Sequence, residues 1–373
     1  MPYRSTRRPM NGIPAGYRKY AEPHSKSLCC CGCPNIFAVI LLYGMLAIVF
    51  MIVFICFSAS SGRQYERDKD PFSSKTFYQR KTKEDIELYK PKEEKGEHIE
   101  ILRRRLTDLT DGYRDIKDLK KKYYNHCKTC SVVTSSGRLL FHQAGEEIDS
   151  AECVIRMNNA PVVGYEEYVG KKTTSRIVCF RSVANLKKSM LTGRGFTKEV
   201  VVWGAENPSH GRWAMSKLKM FLRQYLQTKW FSLKDGGEEI ANAIFESETG
   251  ISREKSHTWL STGLFTMLFA LQTCDNITVY GMVDENYCKL HKEIEAPYHY
   301  YENLPWNECE FLNMHENKMK QGHRYLTEKA LYRRFASMFN LNFKYPAWNL
   351  TNASHVDFKS PFREKYMKEH TKR

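Results

Sequence analysis

The 373-residue sequence lacks both of the glycine-rich signatures that most often mark a nucleotide site. It has neither a Gly-x4-Gly-Lys-Ser/Thr loop nor a Gly-x-Gly-x-x-Gly turn, which bind phosphates through backbone N–H groups. Its only Asp-x-Asp triplet, Asp68-Lys69-Asp70, lies in a highly charged segment, whereas a hard cation needs several converging oxygens. These absences exclude the familiar P-loop kinases and dehydrogenases, and the sequence predicts no metal site.

Acidic residues are too few to balance the basic ones. Lys and Arg number 58 against 42 Asp and Glu, so the formal net charge is +16. Such an excess can indicate nucleic acid or an anionic membrane surface as a partner. Because the basic residues form no single stripe along the sequence, nucleic acid is not predicted as a partner.

One long stretch, residues 36–57, contains no charged residue. Its length suits a helix that crosses about 30 Å of hydrocarbon, and it has no polar face, unlike a helix of a soluble core. We therefore predict a transmembrane anchor at residues 36–58. Six basic residues and one acidic residue precede the anchor, so residues 1–35 should form a cytoplasmic tail. The topology is then single-pass type II, with the rest of the chain in the lumen.

The part of the chain beyond the anchor contains all three sequons and most of the cysteines. Asn276, Asn349 and Asn352 each begin an Asn-x-Ser/Thr sequon, although Asn276 begins a predicted strand and is expected to be too buried for glycosylation. Seven of the 12 cysteines lie beyond residue 58, where disulfides persist. Since seven is odd, at least one of these thiols is free or intermolecular.

Residues 59–126 are rich in charge and predict a luminal stem rather than a packed core. An apolar stripe at spacings of three and four runs through Ile99, Leu102, Leu106, Leu109, Tyr113 and Ile116. This spacing is typical of a short coiled coil. The stripe predicts either a homodimer contact through the stem or a helix that docks onto the globular domain.

From residue 127 onward, strand-like and helix-like segments alternate, which predicts an α/β domain at residues 127–354. Strands are predicted at 131–133, 154–157, 176–180, 199–203 and 277–280. Helices are predicted at 212–226, 238–245, 263–273 and 327–339. A basic C-terminal tail covers residues 355–373.

Four segments of this domain resemble the sialylmotifs of the animal sialyltransferases. The large motif reads Cys130-Ser-Val-Val-Thr-Ser-Ser-Gly137, Glu146-Glu-Ile-Asp149, Arg156-Met-Asn-Asn-Ala-Pro161 and Gly164-Tyr-Glu-Glu-Tyr-Val-Gly170. The small motif reads Ser261-Thr-Gly-Leu-Phe-Thr and continues through Cys274 to Val279-Tyr-Gly-Met282. Motif III is His299-Tyr-Tyr-Glu302, and the very small motif is His323-Arg-Tyr-Leu-Thr-Glu328. Residues 158–161 and 297–302 are most similar to the α-2,6-sialyltransferases that act on N-acetylgalactosamine.

The resemblance implies a single GT-A-type Rossmann-like domain with a mostly parallel sheet, preceded by the transmembrane helix and the stem. It also implies inverting transfer from CMP-sialic acid, without a metal or other cofactor, in α-2,6 linkage to N-acetylgalactosamine of a sialylated glycolipid or O-glycan at the Golgi membrane. The open alternatives are a sialyltransferase of another linkage and a catalytically silent, membrane-anchored glycan-binding protein.

Roles for individual residues follow from the same resemblance. Donor binding is assigned to Ser135, Asn158, Ser261, Thr262, Gly263, Tyr280 and Gly281. His299 is expected to bind the phosphate and His323 to act as the general base, supported by Glu302 and Glu328. Glu328 either orients the base or serves only as a first-turn helix residue. Ser261 could equally be a simple helix N-cap, and capping and anion binding can coexist.

Disulfide pairing is also implied. Cys130 and Cys274 correspond to the family pair that links the large and small motifs. Cys288 and Cys309 form a plausible second pair, which leaves Cys127, Cys153 and Cys179 for one further bridge and one free thiol.

Two positions depart from the family pattern. Ser135 stands where many members have Asn, and Tyr168 replaces the usual Asp before Val-Gly. Loss of that carboxylate is expected to remove an anchor of the 164–170 loop and to leave its partner unsatisfied.

Overall fold

The computed structural model describes residues 95–205, 212–234, 236–291, 295–318, 322–351, 353–354, 358 and 368. The predicted tail, the anchor, residues 59–94 of the stem, Asn352 and most of the C-terminal tail lie outside these ranges. Within them, no helix is long and apolar enough to cross a membrane.

Eight strands form one sheet. In chain order they are β1 (Tyr113–Asp115), β2 (Cys127–Val133), β3 (Cys153–Met157), β4 (Ser175–Cys179), β5 (Glu199–Trp203), β6 (Lys229–Leu233), β7 (Cys274–Tyr280) and β8 (Leu341–Lys344). Their order in the sheet is β1-β6-β5-β4-β3-β2-β7-β8. Every neighbouring pair is parallel except β1 and β6. The predicted α/β class with a mostly parallel sheet is therefore confirmed.

Helices connect the strands. They are α1 (Lys95–Asp111), α2 (Gly145–Ser150), α3 (Glu166–Val169), α4 (Lys188–Leu191), α5 (Arg212–Gln224), α6 (Gly237–Thr249), α7 (Thr262–Thr273), α8 (Tyr287–Leu290), α9 (Glu308–Asn317) and α10 (Tyr325–Ala336). Short 3-10 turns lie at Gly137–Phe141, Phe180–Asn185 and Gly193–Gly195.

Central strands are mostly buried because helices cover both faces of the sheet. Strand β5 shows this arrangement, since all of its residues are buried. Val200 and Val202 pack in one core cluster with Leu218 of α5, whereas Val201 packs in the opposite cluster with Phe265 of α7. Successive side chains of a strand point to opposite faces, so the continuous valine run stabilises two helix layers at once.

The predicted stem boundary is wrong, because α1 belongs to the globular domain. Leu102, Leu106 and Leu109 are fully buried in the core that includes Phe245 of α6. The apolar stripe therefore docks onto this chain's own domain and is not available as a dimer contact. The high charge of the segment predicted a stem, but a helix needs only one apolar face to pack in a core, and its other face can be charged.

An ion-pair cluster fixes the same helix. His98 of α1 lies 2.8 Å from a carboxylate oxygen of buried Glu248, and Arg334 of α10 lies 2.9 Å from the other oxygen. Strand β1 then follows α1 and adds an antiparallel edge to the sheet. The globular domain thus includes α1 and β1, which the prediction had assigned to the stem.

Three disulfides join the described cysteines: Cys127–Cys153, Cys130–Cys274 and Cys288–Cys309. The Cys130–Cys274 bridge has a sequence separation of 144 and links β2 to β7, as the resemblance implied. Among the cysteines in the described ranges, Cys179 alone is unpaired.

The asparagines of the two sequons within the described ranges are both exposed. Asn276 lies in β7, and its side-chain amide donates to the Lys128 carbonyl at 3.1 Å. The expectation that Asn276 is buried is therefore wrong, because it lies at the exposed start of the strand. Asn349 lies beyond β8.

Candidate active site

The carboxyl ends of the parallel strands meet at one edge of the sheet. Ser135 follows β2, Asn158 follows β3 and Gly281 follows β7 at this edge. The strand order reverses here, because β3 to β6 lie on one side of β2 and β7 and β8 lie on the other. Ligands of open α/β sheets bind in the crevice at such a switch point. The fold therefore places three predicted donor residues where a ligand is expected.

Asn158 joins the end of β3 to the start of α7. Its φ of 41° lies in the left-handed region, which asparagine tolerates better than most residues. Its Oδ1 accepts a hydrogen bond from the Cys179 N–H at 3.1 Å and from the Thr262 hydroxyl at 3.4 Å. Buried Arg176 donates to the Asn158 carbonyl at 2.9 Å. Predicted donor residues of the large and small motifs thus lie side by side.

The N-terminus of α7 is capped by Ser261, whose Oγ accepts from the Leu264 N–H at 3.1 Å. Buried Glu328 holds this cap in place. Its carboxylate accepts from the Ser261 N–H at 2.8 Å, from the Ser261 hydroxyl, and from the Tyr332 hydroxyl at 3.3 Å. Burial raises the pKa of Glu328 to about 7, against the opposing effect of these three donors.

Glu328 therefore does not serve the role proposed for it beside His323. Its carboxylate contacts Ser261 of the small motif, whereas His323, which precedes α10, contacts the Trp259 carbonyl. Glu328 supports the predicted donor site by positioning Ser261.

His323 lies immediately before α10 and is partly buried. Its Nδ1 is 2.6 Å from the Trp259 carbonyl. Because a carbonyl only accepts, Nδ1 must carry the proton, and the neutral ring then has its lone pair on Nε2. Burial lowers the pKa of His323, and the nearby Arg324 guanidinium lowers it further. The ring is therefore neutral near pH 7, and Nε2 can accept a proton.

His299 pairs with the carboxylate of Glu302, with 2.5 Å between Nδ1 and Oε2. Burial lowers the pKa of His299, whereas Glu302 favours the charged ring and opposes the shift. An anion bound near the ring would add a second negative charge and favour the imidazolium further, so that Nε2–H could donate to it. His299 is thus suited to a phosphate, and Glu302 fixes the orientation of its ring.

Motif III is attached directly to the large motif. The Tyr300 N–H donates to the Ser135 carbonyl at 2.9 Å, and the Gly137 N–H donates to the Pro297 carbonyl at 3.0 Å. A Cβ at Gly137 would lie 2.4 Å from Pro297, so this approach requires glycine. Ser135 thereby acts through its backbone to position the segment that carries His299.

A series of stacked rings connects the two histidines. Tyr298 lies 4.2 Å from His299 and 3.7 Å from Phe311, measured between ring centroids. Phe311 lies 4.4 Å from His315, which lies 6.1 Å from His323. Burial and the neighbouring positive charges lower the pKa of His315 to about 4, so this ring is neutral. Sequence reasoning missed Phe311 and His315, because no spacing or motif singles them out.

A buried ion pair also escaped prediction. Arg138 follows Ser136 in the large motif, and its Nε lies 2.7 Å from Oε2 of Glu308 at the start of α9. The Arg138 guanidinium also lies over the ring of Tyr287, 4.2 Å from its centroid. Together with the Cys288–Cys309 bridge, this pair holds both ends of the segment that contains motif III.

Tyr280 and Gly281 are placed differently from the other donor residues. The Tyr280 hydroxyl donates to Glu147 at 3.2 Å, beside α2, so its side chain supports the large motif. Gly281 has φ +79°, and a Cβ there would lie 2.6 Å from Leu139. Gly281 thus allows β7 to end close against the turn that follows Ser135, and a direct donor contact from Tyr280 stays a prediction.

The turn that follows the loop of Tyr168 is held by Asp149. This carboxylate, itself part of the large motif, accepts hydrogen bonds from the N–H groups of Lys171 and Lys172 at 2.7 and 2.9 Å. The turn after α3 therefore has an anchor, and the effect of Tyr168 on the loop stays a prediction.

Across the described ranges, no group of three or more His, Cys, Asp or Glu side chains is arranged to hold a metal ion. The described site instead combines a capped helix N-terminus, a neutral histidine and a histidine–carboxylate pair. This set of groups can bind an anion and accept a proton, which are the two requirements of a transfer with an anionic leaving group.

Comparison with known proteins identifies the family of the chain. The family model of glycosyltransferase family 29 (sialyltransferase) matches residues 69–338. A human α-N-acetyl-neuraminyl-2,3-β-galactosyl-1,3-N-acetyl-galactosaminide α-2,6-sialyltransferase is 38% identical over 245 residues, which cover 64% of this chain and 80% of the relative. The α-N-acetylgalactosaminide α-2,6-sialyltransferase 6 of Bos taurus is 38% identical over 252 residues, covering 64% and 74%.

Solved structures are more distant. A crystal structure of a mammalian sialyltransferase has 19% identity and a TM-score of 0.37, covering 66% of this chain and 78% of that one. A Campylobacter jejuni sialyltransferase in complex with cytidine-5'-monophosphate has 12% identity and a TM-score of 0.38, covering 64% and 87%.

The fold and the match to the family model define a glycosyltransferase. The chain belongs to glycosyltransferase family 29, the sialyltransferases. The family suggested by the four motifs is thereby confirmed, and the chain is a sialyltransferase.

Proposed function

We propose that the chain moves sialic acid from CMP-sialic acid, in α-2,6 linkage with inversion, onto N-acetylgalactosamine of an already sialylated glycolipid or O-glycan. The observation that carries this proposal is the hydrogen bond from His323 Nδ1 to the Trp259 carbonyl. It leaves Nε2 as a proton acceptor next to the segment that begins α7.

In this mechanism the acceptor hydroxyl attacks the anomeric carbon as the bond to CMP breaks on the opposite face. His323 Nε2 takes the hydroxyl proton, and the bonding electrons leave with the CMP phosphate. His299, whose protonation the bound phosphate favours, and the backbone N–H groups at the start of α7 stabilise the charge on that phosphate. Since CMP carries one phosphate, hydrogen-bond donors can replace a metal.

Asn158 and the residues Ser261 to Gly263 hold the CMP portion. Their side-by-side placement at the switch point supports this assignment. Glu328 keeps the cap of α7 in place, and Glu302 orients His299.

The choice of linkage and acceptor rests on the relatives. Both of the named relatives are α-2,6-sialyltransferases, and the name of the human one describes an acceptor that already carries sialic acid. The proposed GT-A-type domain follows an anchor at residues 36–58. That anchor would place the site in the Golgi lumen, where the enzyme meets glycolipid and glycoprotein glycans.

The test is to purify the full chain in detergent and incubate it with CMP-sialic acid and a panel of acceptors. We expect CMP release together with a new α-2,6-linked sialic acid on N-acetylgalactosamine, identified by mass spectrometry. A product of another linkage would reject the acceptor assignment. Binding of sialoglycans without CMP release would indicate the silent glycan-binding alternative.

A second measurement tests the role of His299. Because His299 is proposed to contact the donor phosphate, His299→Ala should weaken CMP binding in calorimetry as well as slow transfer. An unchanged affinity for CMP would remove His299 from the donor site.

A further inference from the structure

Trp259 presents a large aromatic surface beside the proposed base. Its side chain is 46% exposed, which is unusual for tryptophan. Its backbone carbonyl accepts from His323, and its backbone N–H donates to the Gly322 carbonyl at 3.0 Å. The backbone of Trp259 is therefore fixed relative to His323 by hydrogen bonds of both its carbonyl and its N–H group.

Hydrogen bonds from buried side chains fix the backbone of the loop that carries Trp259. Buried Arg324 donates to the Ser256 carbonyl at 2.8 Å and to the His315 carbonyl at 3.0 Å. The Thr258 hydroxyl donates to the Gly322 carbonyl at 2.7 Å. An exposed ring on a backbone this well fixed is pre-organised, so a ligand that packs on it meets a low ordering cost.

Arg253 completes this surface. Its guanidinium carbon lies 4.8 Å from the centroid of the Trp259 ring. It also forms an ion pair of 2.9 Å with Glu254, whose side chain is 58% exposed. The Arg253 side chain is itself only 24% exposed, and its exposed partner can move away, so a carboxylate of a ligand can replace Glu254. The other charged or titratable residues of this loop are Lys255 and His257.

The chemistry of this surface has two parts. An exposed indole packs against the C–H face of a pyranose ring, and a guanidinium binds a carboxylate through two parallel hydrogen bonds. A neutral sugar satisfies only the first part. A sialic acid satisfies both, because it carries a carboxylate on a pyranose ring.

We propose that Trp259 and Arg253 form an acceptor subsite that recognises the sialic acid already present on the acceptor glycan. This inference rests on the proposed function and adds the residues that select a sialylated acceptor. The subsite lies next to His323 through the Trp259 backbone, so an acceptor held there is brought to the proposed base.

The test uses the full chain and a matched pair of acceptors, the same galactosyl-N-acetylgalactosamine glycan with and without α-2,3-sialic acid. Trp259→Ala should raise the KM for the sialylated acceptor by about tenfold to 100-fold, with the KM for CMP-sialic acid unchanged. Trp259→Phe keeps a ring and should recover part of the loss. Both changes retain the carbonyl that binds His323.

Arg253→Gln tests the charge. It should lower the ratio of kcat/KM for the sialylated over the unsialylated acceptor by about tenfold, the effect of losing one charge-assisted contact. Arg253→Lys should keep part of the preference.

Two control variants match these changes. Lys255→Gln alters a charge on the same loop. Tyr124→Ala removes an exposed ring that precedes β2, at the end of the strands opposite to the site. Both should behave as wild type.

An unchanged acceptor ratio in Arg253→Gln, or an equal rise of donor and acceptor KM in Trp259→Ala, would overturn the subsite. If the wild type transfers sialic acid to neither acceptor, the proposed function fails, and binding alone then tests the subsite. In that case the sialylated glycan should still quench tryptophan fluorescence of the wild type and fail to do so in Trp259→Phe and Arg253→Gln. Equal quenching in all three proteins would reject the subsite as well.

Discussion

His323→Ala is the change that most directly tests the proposed chemistry. The alanine variant removes Nε2, the atom that the Trp259 hydrogen bond leaves free to accept a proton. Loss of a general base typically slows a reaction by roughly 100-fold to 10,000-fold. This range corresponds to an increase of about 2.7 to 5.5 kcal/mol in the activation barrier. We expect kcat to fall by this amount while CMP affinity stays close to wild type.

The role of His323 as a base also predicts how activity depends on pH. The base acts only when neutral, so activity is lost as pH falls through its pKa. Burial and Arg324 hold the pKa of His323 below its ordinary value of 6.5, so the acidic limb of kcat/KM should have its midpoint below pH 6.5. His323→Ala should abolish this limb.

The assay combines initial rates against pH with CMP titration by calorimetry. His126→Ala is a suitable control. His126 is an exposed histidine that lies just before β2 and pairs with Asp275. This variant should retain wild-type rates. Near-normal turnover in His323→Ala, with an unchanged acidic limb, would falsify the assignment of the base.

Other predictions concern the donor site, the disulfide, the cofactor and the topology. Glu328→Gln replaces a carboxylate oxygen with an N–H group, so a buried donor loses its acceptor. It should lower the free energy of unfolding by about 1 to 3 kcal/mol in a urea titration and weaken CMP binding in calorimetry; unchanged values would exclude its positioning role. Replacing Cys130 and Cys274 by serine should reduce stability by about 2 to 5 kcal/mol, and free thiols at both positions in active enzyme would contradict the bridge. EDTA should leave activity nearly unchanged, whereas a loss that Mn²⁺ restores would indicate a different mechanism. Asn349 should carry glycan in cells, and glycosidase should then increase gel mobility; no shift with Asn349 unoccupied would count against the luminal assignment.

Strongly patterned elements were predictable from the sequence. Strand β5 was predicted with its observed bounds, because its run of three β-branched valines is typical of a buried strand in an α/β domain. Elements with weaker patterns were missed. Strand β8 has only four residues, and β1 has only three. Such short edges are stabilised by their neighbours in the sheet, which a local pattern does not reveal.

Contacts between residues that are distant in the sequence could not be predicted either. The motifs named Ser261 and Glu328, but not the hydrogen bonds that join them across 67 positions. The resemblance suggested that Glu328 supports His323, but the carboxylate of Glu328 binds Ser261 and the ring of His323 binds the Trp259 carbonyl, and neither partner can be read from the spacing of the motif. His315 was missed because it belongs to no motif, and only the packing of α9 against the segment before α10 brings it near His323.

The stack of rings from His299 through Tyr298, Phe311 and His315 to His323 limits how the enzyme can evolve. In the proposed mechanism its two ends serve different substrates, since one binds the departing nucleotide and the other activates the incoming sugar. A change in the size of Phe311 is expected to displace rings in both directions, because its ring contacts Tyr298 on one side and His315 on the other. Donor binding and acceptor activation therefore cannot be adjusted independently through this stack. New acceptor preferences are expected to arise in exposed loops such as that of Trp259, where a side chain can change without moving either histidine.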